Sequence, residues 1–258
     1  MKLYALTENT ASGKFLAEHG LSYYIEHDKN VLFDIGHSDV FLRNAKQLNL
    51  SLDQTETIVL SHGHWDHGDG LKYLSNKELV CHPDVFQKRY RKNQKENIGL
   101  ESTFSELNEK FRINNSRIPF PISRKIIFLG EIPRLNDFES QTTTFCLSNG
   151  KDDFVMDDSG LVIKLKDEIV IISGCAHSGI CNMIEHAKSI SGFSKIRAVI
   201  GGFHLKHNYK QTQETIKYLK SQDIQELYPS HCTELPALSA FYKEFEIKQV
   251  KAGMILTF

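Results

Sequence analysis

Apolar residues come in short runs separated by polar turns, and their spacing predicts strands first, then alternating strands and helices. Residues 2–6 and 21–26 predict two strands, and residues 27–30 (His-Asp-Lys-Asn) the hairpin turn that follows the second. A third strand covers residues 31–36 and carries Asp34 near its carboxyl end. Val40, Phe41, Ala45 and Leu48 recur at helical spacing within residues 38–48. Residues 57–60 predict a buried strand, 70–76 the start of a helix, 79–83 a short strand broken by Pro83, and 126–134 a return to the sheet. Further on, residues 143–147, 161–165, 169–173, 198–202, 227–229 and 254–258 read as strands, and 180–190, 211–221 and 235–245 as helices. Two strand-rich halves that each finish in helices predict an α/β fold, an αβ/βα sandwich with two mixed β-sheets flanked by helices. One domain over residues 1–258 is expected. Residues 84–117 differ: they are polar, basic from Gln87 to Lys95, and predict a helical, partly mobile insertion or lid.

Composition narrows the class without setting the chemistry. The 258 residues are 40% apolar and 24% charged, which suits a globular protein with a sizeable core. A net charge of -1 gives no general attraction to nucleic acid or to membranes. No apolar run approaches the roughly 20 residues that span a bilayer. The start Met1-Lys2-Leu3-Tyr4-Ala5-Leu6-Thr7-Glu8 turns polar too soon for a signal peptide. Five cysteines (Cys81, Cys146, Cys175, Cys181, Cys232) form no disulfide framework, so a cytoplasmic location is expected.

The picture changes at Ser61-His62-Gly63-His64-Trp65-Asp66-His67-Gly68-Asp69-Gly70-Leu71. Four possible metal ligands, His62, His64, Asp66 and His67, follow the apolar run Thr57-Ile58-Val59-Leu60. Ligands at a strand's carboxyl end project into the crevice above a sheet. Imidazole nitrogen with carboxylate oxygen suits zinc, manganese or iron. Three further histidines sit just after apolar strands: His177, His204 and His231. If those strands are parallel neighbours, all three face the same crevice. His19, His27, His186 and His207 fall in turns or on helix surfaces and receive no role, while His37 and His82 stay open.

With Asp34 ending an earlier strand, His62-x-His64-x-Asp66-His67 resembles the signature of the metallo-β-lactamase superfamily. The runs Leu6–Thr10, Gly130–Arg134, Gly174–Ile180, Gly201–Leu205 and His231–Thr233 are similar to one branch of metal-dependent hydrolases (β-lactamase superfamily II). That branch includes archaeal dihydropterin–ribofuranosylaminobenzene phosphate synthase-like proteins. The resemblance implies one or two divalent metal ions, zinc first, with manganese or iron(II) as alternatives. His62 and His64 would bind the first metal; Asp66, His67 and His231 the second; Asp34 would orient a ligand histidine. Where many members have a third histidine before a strand, this chain reads Asp157-Asp158-Ser159-Gly160, and their bridging Asp is here Cys175. His177 is therefore expected as the third ligand of the first metal. Cys175 stays open between a weaker bridging ligand and a small buried residue.

The activity implied is a hydrolase directing a metal-bound hydroxide at a small anionic substrate, a phosphoester first. Asp66 would orient the nucleophile, His204 would act as general acid or hold the substrate anion, and Arg134 would bind that anion. One alternative is a transferase that condenses a pterin diphosphate with an aryl ribosyl phosphate. Another is a metal-dependent nuclease or nucleic-acid binder, supported only by Lys88–Lys95. A redox di-iron protein fits less well, because such relatives usually carry Glu where this chain has His64. No membrane partner is expected.

Overall fold

Strand alternation builds four layers. The computed structural model describes all 258 residues. The first sheet joins seven strands in the order β16 (Ile255–Thr257), β1 (Lys2–Thr7), β2 (Ser22–Glu26), β3 (Val31–Phe33), β4 (Thr57–Val59), β5 (Lys77–Cys81) and β7 (Phe111–Asn115). Its β16–β1–β2–β3 side is antiparallel and its β3–β4–β5–β7 side parallel. The second sheet orders β15 (Ile224–Ser230), β14 (Ile196–Gly202), β13 (Ile169–Ser173), β12 (Gly160–Lys164), β9 (Ile126–Phe128) and β8 (Phe120–Pro121). There β13, β14 and β15 are parallel and the rest antiparallel.

Successive side chains of a strand face opposite ways. In β1, Leu3 and Ala5 enter the core between the sheets, while Tyr4 and Leu6 face outward beside Phe41 and Ala45 of α1 (Val40–Gln47). In β13, Val170 and Ile172 enter the same central core. Ile169 and Ile171 face the helices α4 (Ile180–Ser191), α5 (Lys210–Lys220) and α6 (Leu235–Glu244). The parallel pairs β13–β14 and β14–β15 need crossovers, which α4 and α5 supply. Two mixed sheets between helical layers are thus observed as expected. No helix is long and apolar enough to cross a membrane.

A third sheet was not foreseen. It pairs β6 (Arg89–Arg91) with β10 (Phe145–Leu147), and β10 with β11 (Asp152–Asp153). Residues 84–117 are accordingly not the predicted helical lid. They hold β6, the five-residue helix α3 (Phe104–Asn108) and the edge strand β7. The physical reason is non-local, since Tyr90 pairs with Cys146, far outside any local pattern. Nor is the basic run a free patch: Arg89 is buried against Asp157 and Asp153, Lys92 pairs with Asp152 at 2.7 Å, and the Lys88 ammonium donates to the Leu100 carbonyl. Residues 69–73 form a 3₁₀ turn after the short α2 (Trp65–Gly68), and the strand foreseen through residue 134 stops at Phe128.

One helix start is capped from a distance. The two carboxylate oxygens of Glu139 accept the Cys181 and Asn182 N–H groups of α4, each at 2.9 Å. Burial lifts the Glu139 carboxyl above its usual range against the pull of these bonds. A group whose folded pKa is raised stabilises most below its unfolded pKa, near 4.3, and that contribution fades as pH rises through the folded value. Glu139→Ala should therefore cost about 1–2 kcal/mol, most at acidic pH. Urea unfolding of both proteins between about pH 4 and pH 8 checks this, and a pH-independent cost would contradict it.

Candidate metal centre

The motif loop leaves β4 and is fastened from beneath. Asp34, directly after β3, accepts the Ser61 N–H and the Ser61 hydroxyl, both at 2.7 Å, and the His67 Nδ1–H, also at 2.7 Å. Ser61 Oγ lies 2.9 Å from His62 Nδ1 and, having given its proton to Asp34, accepts there. Asn9 Oδ1 lies 3.2 Å from His231 Nδ1, and its amide donates to the His231 carbonyl at 3.1 Å. Each of these rings thus has its Nδ1 occupied, which leaves its Nε2 bare and facing the crevice. His64 is reversed: its Nδ1 faces His62 Nε2 at 2.8 Å. Gly63 permits the tight loop, because a Cβ there would lie 2.0 Å from the Val85 carbonyl oxygen. The Gly63 N–H donates to Asp157 at 2.8 Å.

Two donor sets result. Ring nitrogens of His62, His64 and His177 lie within 4.8 Å of one another, and so do the donor atoms of Asp66, His67 and His231. Cys175 sits between the sets, its Sγ 3.3 Å from His67 Nε2 and within 4.8 Å of a ring nitrogen of His62. The structure therefore brings together His62, His64, Asp66, His67, His177, His231 and Cys175, with Asp34 behind His67.

This arrangement fits a divalent cation. The bare Nε2 atoms of His67 and His231 face each other at 3.1 Å, where two lone pairs repel unless a proton or cation lies between them. The buried His177 Nε2 has no partner at all. Burial lowers the His62 and His177 imidazoles well below their usual value, helped by the neighbouring rings. Burial and the Arg89 guanidinium push His64 down to about 3. These rings are neutral near pH 7, the form that ligates. Burial favours protonated Asp66, but the neighbouring His67 and His231 rings, His231 also through a hydrogen bond, outweigh it and hold the Asp66 carboxyl well below its usual range. For His231, burial opposes charge, yet the bond to Asp66 prevails and raises it to about 9.

Other expected residues divide. His204 follows β14 with its ring 4.2 Å from that of His177 and its buried Nδ1 unpartnered. Arg134 is not brought to the crevice. Its guanidinium donates to the Ile132 and Phe154 carbonyls at 2.9 and 3.1 Å, so it is spent on backbone rather than free for a substrate anion. His19, given no role from the sequence, lies with Nε2 3.3 Å from Asp66 Oδ2 and stacks on His231. His82 is buried away from the crevice, against Asp84 and Glu131. The reading along the chain also missed Asn9 and Cys232, although Cys232 lies two residues after β15, as Cys175 does after β13.

Four non-glycine residues that follow strand ends here have left-handed backbone: Asp34 (φ 50°), Ala176 (52°), His204 (49°) and His231 (51°). Such conformations cost of order 1 kcal/mol each and concentrate at functional sites. The crevice has two lobes, of about 220 Å³ around the donor sets and about 310 Å³ beside them. Phe145, His177, His204 and Lys206 border both.

Known proteins share this architecture. The profile of the metallo-β-lactamase superfamily matches residues 17–81, the stretch holding Asp34 and the four-ligand motif. The 7,8-dihydropterin-6-methyl-4-(beta-D-ribofuranosyl)-aminobenzene-5'-phosphate synthase of Methanocaldococcus jannaschii is 35% identical over an alignment of 285 residues, covering 100% of this chain and 97% of its own. The uncharacterized protein MJ0448 of the same organism is 38% identical over 246 residues, 91% of each chain. The crystal structure of Tm1679, a metal-dependent hydrolase of the β-lactamase superfamily, superposes with a TM-score of 0.88 at 29% identity over 100% of this chain and 99% of that one. The motif, the paired sheets that present it and these near-full-length likenesses agree: the chain belongs to the metallo-β-lactamase superfamily.

Proposed function

We propose that this protein is a metal-dependent hydrolase of a small anionic phosphoester, with zinc as the metal that best suits its nitrogen, oxygen and sulfur donors. The observation that carries the reading is the pair of donor sets, joined at Cys175 and opening into one crevice. His62, His64 and His177, and Asp66, His67 and His231, would each hold a divalent cation, which would supply Lewis acidity and lower the pKa of water toward about 7. The chain's own groups do the rest. Ionised Asp66 holds an acceptor at the crevice floor to orient the attacking water. His204, whose Nδ1 has no partner and whose ring lies beside that of His177, would hold a proton for the leaving oxygen. Trp65 and Phe145 wall the lobe with apolar surface and limit bulk water. Lobes of this size admit a small molecule, and with Lys88, Arg89 and Lys92 of the basic run engaged within the fold the chain offers little to a nucleic acid.

Titration of a phosphomonoester and phosphodiester panel, with and without chelator, tests the reading. Turnover should disappear with chelator and return with zinc; chelator-insensitive turnover would sink it. A second reading has one specific support, the full-length likeness to the archaeal synthase. In it the aryl amine nitrogen of the partner would replace water as nucleophile: a carbon–nitrogen bond forms, the carbon–oxygen bond to diphosphate breaks, and the amine gives up one proton. Diphosphate release only when both a pterin diphosphate and an aryl ribosyl phosphate are present would select that reading.

A further inference from the structure

We infer that Arg91 and Lys206 form an anion grip beside the donor sets, and that the substrate has two parts: a phosphoryl group held by this pair and an uncharged, ring-bearing polar body in the neighbouring lobe. The inference rests on the phosphoester reading above and deepens it. Its first support is the fate of the nearby cations. Arg89 is committed to Asp157 and Asp153, Lys92 to Asp152, and Arg134 to carbonyls. Arg91 differs. It leaves β6 into the metal lobe, its guanidinium lies 5.6 Å from the centre of the Phe145 ring, and it has neither ion pair nor side-chain hydrogen bond. A guanidinium laid against an aromatic face is oriented yet keeps its forked donors free.

Lys206, two residues after His204, supplies the second charge from the other large sheet's loops. It borders both lobes, and its sole carboxylate partner, Glu234, is 3.9 Å away with both side chains partly exposed. So loose a pair adds little stability and yields readily to a dianion. Two side-chain cations beside a cation-binding donor set match a phosphoryl dianion better than a singly charged carboxylate.

The second lobe fixes the rest of the molecule. Its uncharged polar lining includes Ser140, Thr142, Thr144 and Gln211, Lys206 is its one ammonium group, and no carboxylate is among its walls. At its edge Tyr209, 70% exposed, stacks on His207 with ring centres 4.7 Å apart. Hydroxyl and amide groups facing a cavity recognise an uncharged polar body, and an exposed aromatic face accepts a flat ring. Phe145, His177 and His204 border both lobes, so the two parts of the ligand would meet along these rings.

Inorganic phosphate is the probe, titrated calorimetrically into the metal-loaded full chain. Arg91→Gln should weaken phosphate binding by about tenfold or more, and Lys206→Gln by several-fold. Arg91→Lys should recover part of the loss, and Arg134→Gln should bind like wild type. With a turned-over phosphoester, Arg91→Gln should raise KM and leave kcat nearly unchanged. Tyr209→Ala should raise KM for ring-bearing phosphoesters and leave phosphate binding unchanged. Folded Arg91→Gln protein that binds phosphate as wild type does overturns the grip; Tyr209→Ala with unaltered KM for ring-bearing substrates overturns the two-part ligand. Arg91-dependent phosphate binding without any phosphoester turnover would leave the grip standing and defeat the hydrolase reading. Turnover whose KM ignores Arg91 would do the reverse.

Discussion

His62→Ala combined with His64→Ala should strip the protein of its first metal and abolish turnover, lowering kcat/KM by about a thousandfold or more. His62 Nε2 and His64 Nδ1 lie 2.8 Å apart and provide two of the three nitrogens of their set. Removing both leaves only His177, whose Nε2 is already without a protein partner. A single imidazole does not retain a cation against water, so elemental analysis should show the loss directly. Unfolding should change far less than activity, because Asp34 still fastens the loop through Ser61 and His67. Unchanged metal content in the double variant would refute the assignment of these ligands.

Arg89→Met should be the most destabilising single change, costing about 3–5 kcal/mol. Arg89 is 1% exposed, and its guanidinium makes a forked contact to Asp157 at 2.9 and 3.3 Å. Burial favours protonated Asp157, but Arg89 prevails and holds its carboxyl below the usual range. Without Arg89 that carboxylate is a buried charge with no counterion. The loss spreads to the candidate site, since Asp157 also accepts the Gly63 N–H. Urea unfolding should show the full cost in Arg89→Met, and Arg89→Met with Asp157→Leu should recover much of it. A double variant as unstable as the single one would mean that packing, not charge, sets the penalty. The pair itself helps the fold only while Asp157 is ionised. A depressed folded pKa places that contribution above the unfolded carboxylate range and removes it as pH falls through the folded value.

How far the chain could be read in advance depends on distance along it. Val59 and Leu60 announce a strand end and His62 follows at once, so the motif's place was visible locally. His177, His204 and His231 could be placed for the same reason, each lying a few residues beyond an apolar run. The parallel order of β13, β14 and β15 then carries all three to one edge. Failures came where partners are remote. Arg89 looks like one of many surface charges in Lys88–Lys95, and only Asp157, 68 residues on, makes it a core residue. Arg91 and Arg134 look equally suited to an anion, but the first meets Phe145 across a third sheet and the second turns back on its own loop. His19 lies in an ordinary polar turn, and nothing nearby signals that Asp66 will be 3.3 Å away. Asn9 is a turn residue until His231, 222 positions later, brings its Nδ1 to it.

The left-handed backbone at Asp34, Ala176, His204 and His231 has a consequence for evolution and engineering. Glycine would relax each position, and laboratory selection for thermal robustness would favour it there. Yet His204 and His231 have their side chains at the crevice, and Asp34 holds the His67 ring from behind it, so every such gain in robustness removes a working group. The tension at the strand ends thus sets a ceiling on how stable this chain can become while keeping its chemistry, and gains beyond it must come from the helical layers or the third sheet.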